Sequence, residues 1–359
     1  MTLPVIHADT YHLHAPTFEI RPGGLITQYF ESPQRAEIIL KALRATTWAQ
    51  IRAPDQGRHD SLPLIVHDAD YVGFIRDGYR DWLATKPPLP EDHPPTYYPS
   101  TMPPPRWRRS AAHPKKAVEA YGYYTFDLTA PLIEGTYEAA LGSARCAMTA
   151  ANLVLYGEPA AYALCRPPGH HAGRDFSGGY CYFNNTAIAA KILSMRGPVA
   201  VLDIDYHHGN GTQDIFYADD RVLTVSIHAD PGYDYPYFVG YADELGEGEG
   251  EGNNLNVPLP LRTTGAWYLQ ALNLVLDRIH LFRPWALVIA VGFDTYGGDP
   301  IGQFSLTTED YPIIARRIKR LKVPTVIVQE GGYNAEALGW NAAAFLGEFA
   351  SLPDDWLTG

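Results

Sequence analysis

The stretch VLDIDYHHGNGTQDIF, Val201 to Phe216, gathers Asp203, Asp205, His207, His208 and Asn210 within eight residues, directly after an apolar run. Carboxylates and imidazoles at such spacing hold metal ions or move protons. Residues two apart on an extended strand share a face, so Asp203, Asp205 and His207 point the same way. Cα atoms two residues apart lie about 6.6 Å from each other, close enough for Asp205 and His207 to grip one ion, whereas Asp203 and His207, about 13 Å apart, could hardly share it. A catalytic zinc ion takes three protein ligands and keeps a position for water, so one more ligand must come from another strand end.

Asp294 in AVGFDTYGGDP meets that requirement, since it follows the most apolar strand of the chain and precedes a Gly-rich turn. CRPPGHHAG sets His170 and His171 in tandem behind Pro167, Pro168 and Gly169, and EGGYN presents Tyr333 after two glycines. Together these groups supply what metal-assisted amide hydrolysis needs: a Lewis acid, a water it activates, a histidine as general base and acid, and a hydroxyl donor for the oxyanion. Asp203 can orient and charge-stabilise one histidine and Asn210 the other. His and Asp ligands accommodate zinc and ferrous iron alike.

The elements that must position these groups are legible as alternating patterns. Apolar, β-rich runs end near Arg166, Tyr206, His228, Asp294 and Tyr333, each nearly continuous in Val, Ile, Leu and Ala, as strands covered on both faces are. Helical patterns span Glu134 to Tyr156, Asn184 to Met195, Ala266 to His280 and Thr308 to Leu321, with Asn184 and Thr308 able to serve near N-caps. The alternation predicts an α/β fold: a doubly wound, mainly parallel sheet flanked by helices, with ligands beyond the carboxyl ends of the strands.

The chain's 359 residues, 46% of them hydrophobic, can bury a large core and are read as one catalytic domain, 1–359. A formal net charge of -12 argues against nucleic acid and suits a cationic substrate. Cys146, Cys165 and Cys181 are scattered and offer neither a disulfide framework nor a CxxC site, which points to a reducing, cytoplasmic setting. Neither a signal peptide nor a membrane span is evident, so no membrane partner is expected. Between Pro87 and Pro114 lie ten of the thirty prolines, with Tyr97, Tyr98, Trp107 and the triplet Arg106, Arg108 and Arg109. This reads as an insertion loop at about 86–126 whose exposed aromatics suit a lid or an oligomer contact. DELGEGEGEGNN, Asp243 to Asn254, reads as a Gly-rich turn.

RPPGHHA, DIDYHHGNGT, VSIH, GFDTYGGDP and EGGYN resemble, in order and over nearly the whole chain, the motifs of the histone deacetylase superfamily, and within it the bacterial acetylpolyamine amidohydrolases. The resemblance implies the arginase/deacetylase fold, with zinc on Asp205, His207 and Asp294. It makes His171 the general base and acid, His170 with Asp203 its electrostatic partner, and Tyr333 the oxyanion donor. ESPQRAEII resembles the family's early arginine motif and implies Arg35 as an inner-channel residue. Gly179 and Tyr180, with Gly331, resemble the substrate tunnel. Structural potassium is implied at Asp203, Asp205, His207, Ser226 and Ile227. Asn210 stands where many deacetylases carry an aspartate, leaving His171 without a nearby anion and its imidazolium less favoured. Arginase-type enzymes share the fold, but their two-manganese sites need a second carboxylate where Tyr296 stands, so a single metal is the better reading.

The insertion, running into AVEAYGYYTFDLTAPLIEGTY, resembles the one through which polyamine-type enzymes dimerise and constrict their tunnel. It implies a homodimer and a narrow acidic mouth, with Glu119, Asp127 and Glu134 as available acids. Thr129 departs from the carboxylate that such relatives often carry nearby. The expected function is removal of acetyl groups from small cationic acetylated amines: acetylputrescine, acetylcadaverine or acetylspermidine. The alternatives are a broader or acetyl-lysine deacetylase and, from another class, a noncatalytic acetyl-group binder.

Overall fold

The computed structural model describes residues 2–21, 24–55, 57, 60–87, 93–102 and 115–350. Eight parallel strands form one sheet: β1 (Leu3–His7), β4 (Ala49–Arg52), β5 (Ala160–Leu164), β6 (Val199–Asp203), β7 (Val222–Ala229), β8 (Asn254–Leu259), β9 (Ala286–Val291) and β10 (Thr325–Gln329). Their order is β4-β1-β5-β10-β9-β6-β7-β8, and β2 (Phe18–Arg21) pairs with β3 (Leu25–Gln28) in a separate antiparallel hairpin. β5, β6, β7, β9 and β10 are buried at every residue, as expected of strands with helices on both faces.

Alternate residues feed two cores. Val201 joins one side with Ala161 and Ala163, whereas Ala200 and Leu202 join the other with Tyr162 and Leu164. The first core receives α2 (Ala69–Ala84), α4 (Thr136–Leu155) and α5 (Asn185–Ser194). The second receives α1 (Gln34–Arg44), α7 (Gly265–Phe282), α8 (Asp310–Lys319) and α9 (Leu338–Ala350). Two further helices are short, α3 (Ala117–Ala120) and α6 (Asn210–Phe216).

This is the α/β sheet expected from the alternating pattern. Asn184 caps α5, its side chain accepting from the Ala187 N–H at 2.8 Å. Thr308 does not cap α8: Glu309 occupies that position without a side-chain bond, and the Thr308 hydroxyl donates to Asn341 Oδ1 at 2.7 Å. In the insertion, Tyr97 is not an exposed aromatic. It is buried, stacks on Trp82 with ring centroids 5.0 Å apart, and bridges to Leu132. Arg106, Trp107, Arg108 and Arg109 lie outside the described residues. Residues 243–253 lie outside regular strands and helices apart from a short 3-10 segment at Gly248–Gly250, and Asn254 begins β8. Among the described residues, no helix is long and apolar enough to cross a membrane.

Candidate active site

The tips of β6, β9 and β10, neighbours at the sheet centre, bring the polar groups together. β6 ends at Asp203, so Asp205 and His207 sit just past it in irregular backbone. That segment is held by its own side chains: Asp203 Oδ1 accepts from the Asp205 N–H at 3.1 Å, and Asp205 Oδ1 from the His207 N–H at 2.8 Å. Asp294, beyond β9, accepts from the Tyr206 N–H at 3.1 Å. The result is a buried group of Asp205, His207 and Asp294 whose ligand-type atoms all lie within 4.8 Å of one another. His207 Nδ1 stands 3.3 Å from Asp205 Oδ1 and 3.1 Å from Asp294 Oδ2.

The electrostatics of this group call for a cation. Burial and the neighbouring Asp205 push the Asp294 carboxyl up to about 7. Burial opposes charge on His207 as well, yet the two carboxylates hold its imidazolium at about 10. Although burial opposes it, His170 and His207 hold the Asp205 carboxyl well below the ordinary range, so it stays an anion; a dication would take the place of the proton held between His207 and the two carboxylates, and the donor set of two carboxylates and one imidazole fits zinc or ferrous iron. Gly331 closes the pocket behind them. Its N–H donates to Asp205 Oδ2 at 2.8 Å, and a Cβ there would stand 2.3 Å from Asp294 Oδ2.

His170 and His171 face the group from the loop after β5. His170 Nδ1 lies 2.9 Å from Asp203 Oδ2, and although burial opposes charge, Asp203 and Asp205 hold its imidazolium at about 10. His171 Nδ1 lies 2.7 Å from Asn210 Oδ1. A carbonyl oxygen only accepts, so Nδ1 carries the proton and Nε2 is left free to receive one. Burial, then the charges of His170 and His207, hold His171 well below the ordinary imidazole value. Tyr333 is kept protonated by burial and lies beneath the Arg35 guanidinium, 4.6 Å from its ring centroid. Asp299 fixes its backbone by accepting from the Tyr333 N–H at 2.7 Å.

A cavity of about 100 Å³ opens onto these groups. His171, His207 and Tyr333 line its inner end, Gly179, Tyr180 and Tyr235 its walls, and Glu19, Arg21, Asp234 and Tyr237 also border it. Gly179 has φ +52°, and a Cβ there would meet His171 Cδ2 at 2.2 Å. Tyr180 keeps φ +68°, a left-handed conformation costing about 1–3 kcal/mol, while its hydroxyl donates to Glu19 Oε2 at 2.7 Å. A larger cleft of about 630 Å³, bordered by Asp214, Arg221 and Glu247, contains none of the metal-binding or tandem-histidine groups.

A histone deacetylase domain model matches residues 29–349. The chain belongs to the histone deacetylase domain family. Acetylpolyamine amidohydrolase 1 of Pseudomonas aeruginosa is 45% identical over 344 residues, covering 95% of this chain and 97% of that protein. Acetylpolyamine amidohydrolase 2 of the same organism is 42% identical over 351 residues, covering 97% and 98%. Among solved structures, the acetylpolyamine aminohydrolase from Burkholderia pseudomallei, from an iodide soak, is 39% identical with a TM-score of 0.90, covering 98% of this chain and 99% of that one.

Within this family fold, not every residue read from sequence lies where expected. Arg35 is buried behind Tyr333 rather than lining the cavity, donating to the Gly332 and Glu330 carbonyls, both at 2.6 Å, and to Glu31 Oε1 at 2.8 Å. Gly331 is spent on the two carboxylates, not on the cavity surface. Glu119 does not border the cavity: its carboxylate accepts from the Ser100 hydroxyl at 2.6 Å, because the segment carrying it packs against residues 97–102. Asp127 sits just behind the wall, where Oδ2 accepts from the Tyr235 hydroxyl at 2.7 Å and the Gly179 N–H at 3.0 Å. Ser226 is the register partner of Asp203, with Ile227 next along β7, and its hydroxyl meets His228 Nδ1 at 2.7 Å.

Several residues around the site escaped sequence reasoning, among them Glu330, Tyr235, Glu19 and Arg21. Glu330 accepts from the Gly169 and His170 N–H groups at 2.6 and 3.1 Å and from the Thr186 hydroxyl at 2.7 Å, tying the tandem histidines to the tip of β10. Its place inside EGGYN was the available signal. Tyr235, whose ring centroid lies 5.0 Å from that of His171, had no comparable marker, and neither did Glu19 and Arg21 of the hairpin.

Proposed function

We propose that the chain hydrolyses acetylamides of small cationic amines, with acetylputrescine, acetylcadaverine and acetylspermidine as its leading substrates. The observation that carries this reading is the convergence of Asp205, His207 and Asp294 at the inner end of a narrow cavity that His171 and Tyr333 also line. The names of the full-length relatives support the substrate class.

Asp205, His207 and Asp294 would hold one zinc or ferrous ion, which when bound supplies Lewis-acid polarisation of the amide carbonyl and of the attacking water. His171 then accepts the water proton at Nε2 as oxygen adds to the acyl carbon. The C–N bond breaks, the proton passes to the leaving amine, and acetate and free amine result. The Tyr333 hydroxyl donates to the carbonyl oxygen as that oxygen gains charge. His170, paired with Asp203, contributes positive charge beside the reacting centre, and Asn210 keeps His171 in the tautomer that leaves Nε2 free. Arg35 positions Tyr333 through the Gly332 carbonyl and the ring face. Tyr180 and Gly179 border the path of the acetylated arm.

The reading includes a structural potassium ion at Asp203, Asp205, His207, Ser226 and Ile227, supported by the adjacency of Asp203 and Ser226 across β6 and β7. It also includes one catalytic domain over 1–359, a homodimer through the Pro-rich insertion, supported by composition, and a cytoplasmic setting, supported by three free cysteines. Steady-state kinetics of the metal-replete protein on acetylpolyamines and on an acetyl-lysine peptide test the substrate class. Acetylpolyamines are expected to give the higher kcat/KM, and a clear preference for the peptide overturns the reading.

A further inference from the structure

The sheet has a second opening along the edge that carries the active site. β4 is the outermost strand and β1 its neighbour, and both run parallel with β5. The carboxyl tips of β1 at His7 and of β4 at Arg52 therefore face the side on which open α/β sheets bind ligands. A cavity of about 390 Å³ lies there, bordered also by Gly142 and Arg145 of α4. None of the groups assigned to catalysis borders it.

Its charge is out of keeping with the rest of the chain. The protein has a formal net charge of -12, yet three guanidiniums, those of Arg44, Arg52 and Arg145, border this one cavity. All three are poorly partnered. The Arg44 guanidinium makes no hydrogen bond or ion pair among the described residues. Arg52 Nη2 donates to the neutral Gln50 Oε1 at 2.6 Å, and Arg145 Nη2 stands 3.6 Å from Asp60, whose side chain is 78% exposed. Two carboxylates border the cavity as well, and neither pairs with a guanidinium among the described residues. Asp9 is fully exposed and lies 3.7 Å from His7 Nε2, and Asp55 is exposed.

Two observations point to a ligand. Cations gathered at one opening without close counter-charges repel one another, and an anion among them relieves that repulsion. Separately, His7 lines the cavity while only 7% exposed, and its Nδ1 has no hydrogen-bond partner among the described residues, nor have the buried Thr10 Oγ1 and Arg145 Nε of the same lining. Buried polar atoms of native proteins are nearly always hydrogen-bonded, so such a group marks a place built for an outside partner.

We propose that this cavity is a binding site for a phosphate group, borne by a small phosphorylated molecule or free in solution. A phosphate monoester brings about -1.5 to -2 charges and three acceptor oxygens, which guanidinium forks meet two N–H groups at a time. A lone carboxylate, with a single charge and two oxygens, leaves part of the three-arginine set unmatched. The cavity is larger than a phosphate ion, and Ala8, Ile51 and Pro54 supply apolar wall for an attached carbon skeleton. The site and the deacetylase reading do not depend on each other.

Calorimetric titration of the whole, metal-replete chain with inorganic phosphate and with ribose 5-phosphate, with ribose as the uncharged control, tests the proposal. At least one phosphate is expected to bind saturably, and ribose is not expected to bind. Arg52→Gln and Arg145→Gln, shown to be folded by circular dichroism, are each expected to weaken that binding about tenfold or more. Arg52→Lys, which keeps the charge without the fork, should fall between. Binding of ribose 5-phosphate at least as tight as that of inorganic phosphate makes the occupant an ester, and tighter binding of inorganic phosphate makes it the free ion. Failure of both phosphates to bind saturably, binding undiminished by the arginine substitutions, or ribose binding as tightly as its phosphate overturns the proposal.

Discussion

His171 Nδ1 and Asn210 Oδ1 lie 2.7 Å apart, so the base is oriented by a neutral carbonyl while its neighbour His170 is paired with a carboxylate. Burial already holds His171 below the ordinary imidazole value, and the neutral partner leaves it there. Asn210→Asp replaces that partner with an anion, which favours the imidazolium and raises its pKa by about 1–3 units. A base must be neutral to accept a proton, so the acid limb of kcat/KM is expected to move to higher pH in the variant. A pH–rate profile checks this, and an unmoved limb removes His171 from the role of base.

Among the described residues Tyr333 makes no hydrogen bond to the metal-binding side chains, yet its ring lies between Arg35 and Tyr180 at the inner end of the cavity. Tyr333→Phe should therefore keep its full complement of metal and lose about 10²- to 10³-fold in turnover, the usual loss for one oxyanion donor. Metal analysis alongside kinetics separates the two quantities. Turnover near wild type would sink the assignment.

Gly331 has no side chain because the space is taken by Asp205 and Asp294. Gly331→Ala would bring a methyl group to about the positions of their oxygens, and something must shift. We expect a folded protein by circular dichroism that has lost most of its bound metal and, in proportion, its activity. Full metal occupancy in this variant would show that the two carboxylates do not share an ion.

His67, which is not one of the metal-binding group, is built to be neutral: Nδ1 donates to the Gly173 carbonyl at 2.8 Å and Nε2 accepts from the Asn184 N–H at 2.9 Å. Burial lowers it from 6.5 to about 4. The unfolded chain takes up this proton below pH 6.5 and the folded chain only below about 4. The stabilisation is thus complete above 6.5 and lost as pH falls between the two, by about 3 kcal/mol in all. His67→Gln has no such titration, so the stability gap between wild type and variant should narrow over that range in urea denaturation. A constant gap would contradict the neutral, buried assignment.

The inner end of the cavity was readable because its groups follow strands whose apolar runs are nearly uninterrupted, and a strand tip in a parallel sheet can open only onto the crevice. Asp294 could be paired with Asp205 and His207 on that ground alone, 87 residues away from the nearer of them. The surrounding wall was not readable. Glu19 and Arg21 sit in FEIR, four residues without an apolar run, and reach the cavity only because the hairpin folds over it. Glu119 carried the right charge in the expected segment, but hydrogen bonding to Ser100 turned it aside. Thr308 had the composition of a cap and was drawn instead to Asn341, a long-range contact that local pattern cannot reveal. Chemistry at strand ends is written locally, whereas the shape of the opening depends on pairs far apart in the chain.

The four strands whose tips carry the reacting groups, β5, β10, β9 and β6, lie in the middle of the sheet, with two more strands on either side. Amide protons along β6, β9 and β10 should therefore be among the last to exchange with solvent, and the reacting geometry cannot be adjusted without loosening the whole molecule. Change enters more easily at the periphery, where Leu25 and Ile26 of the hairpin and Tyr237 of the loop after β7 are exposed. A fold arranged this way can drift from one amine to another over evolutionary time while the bond it cleaves stays the same.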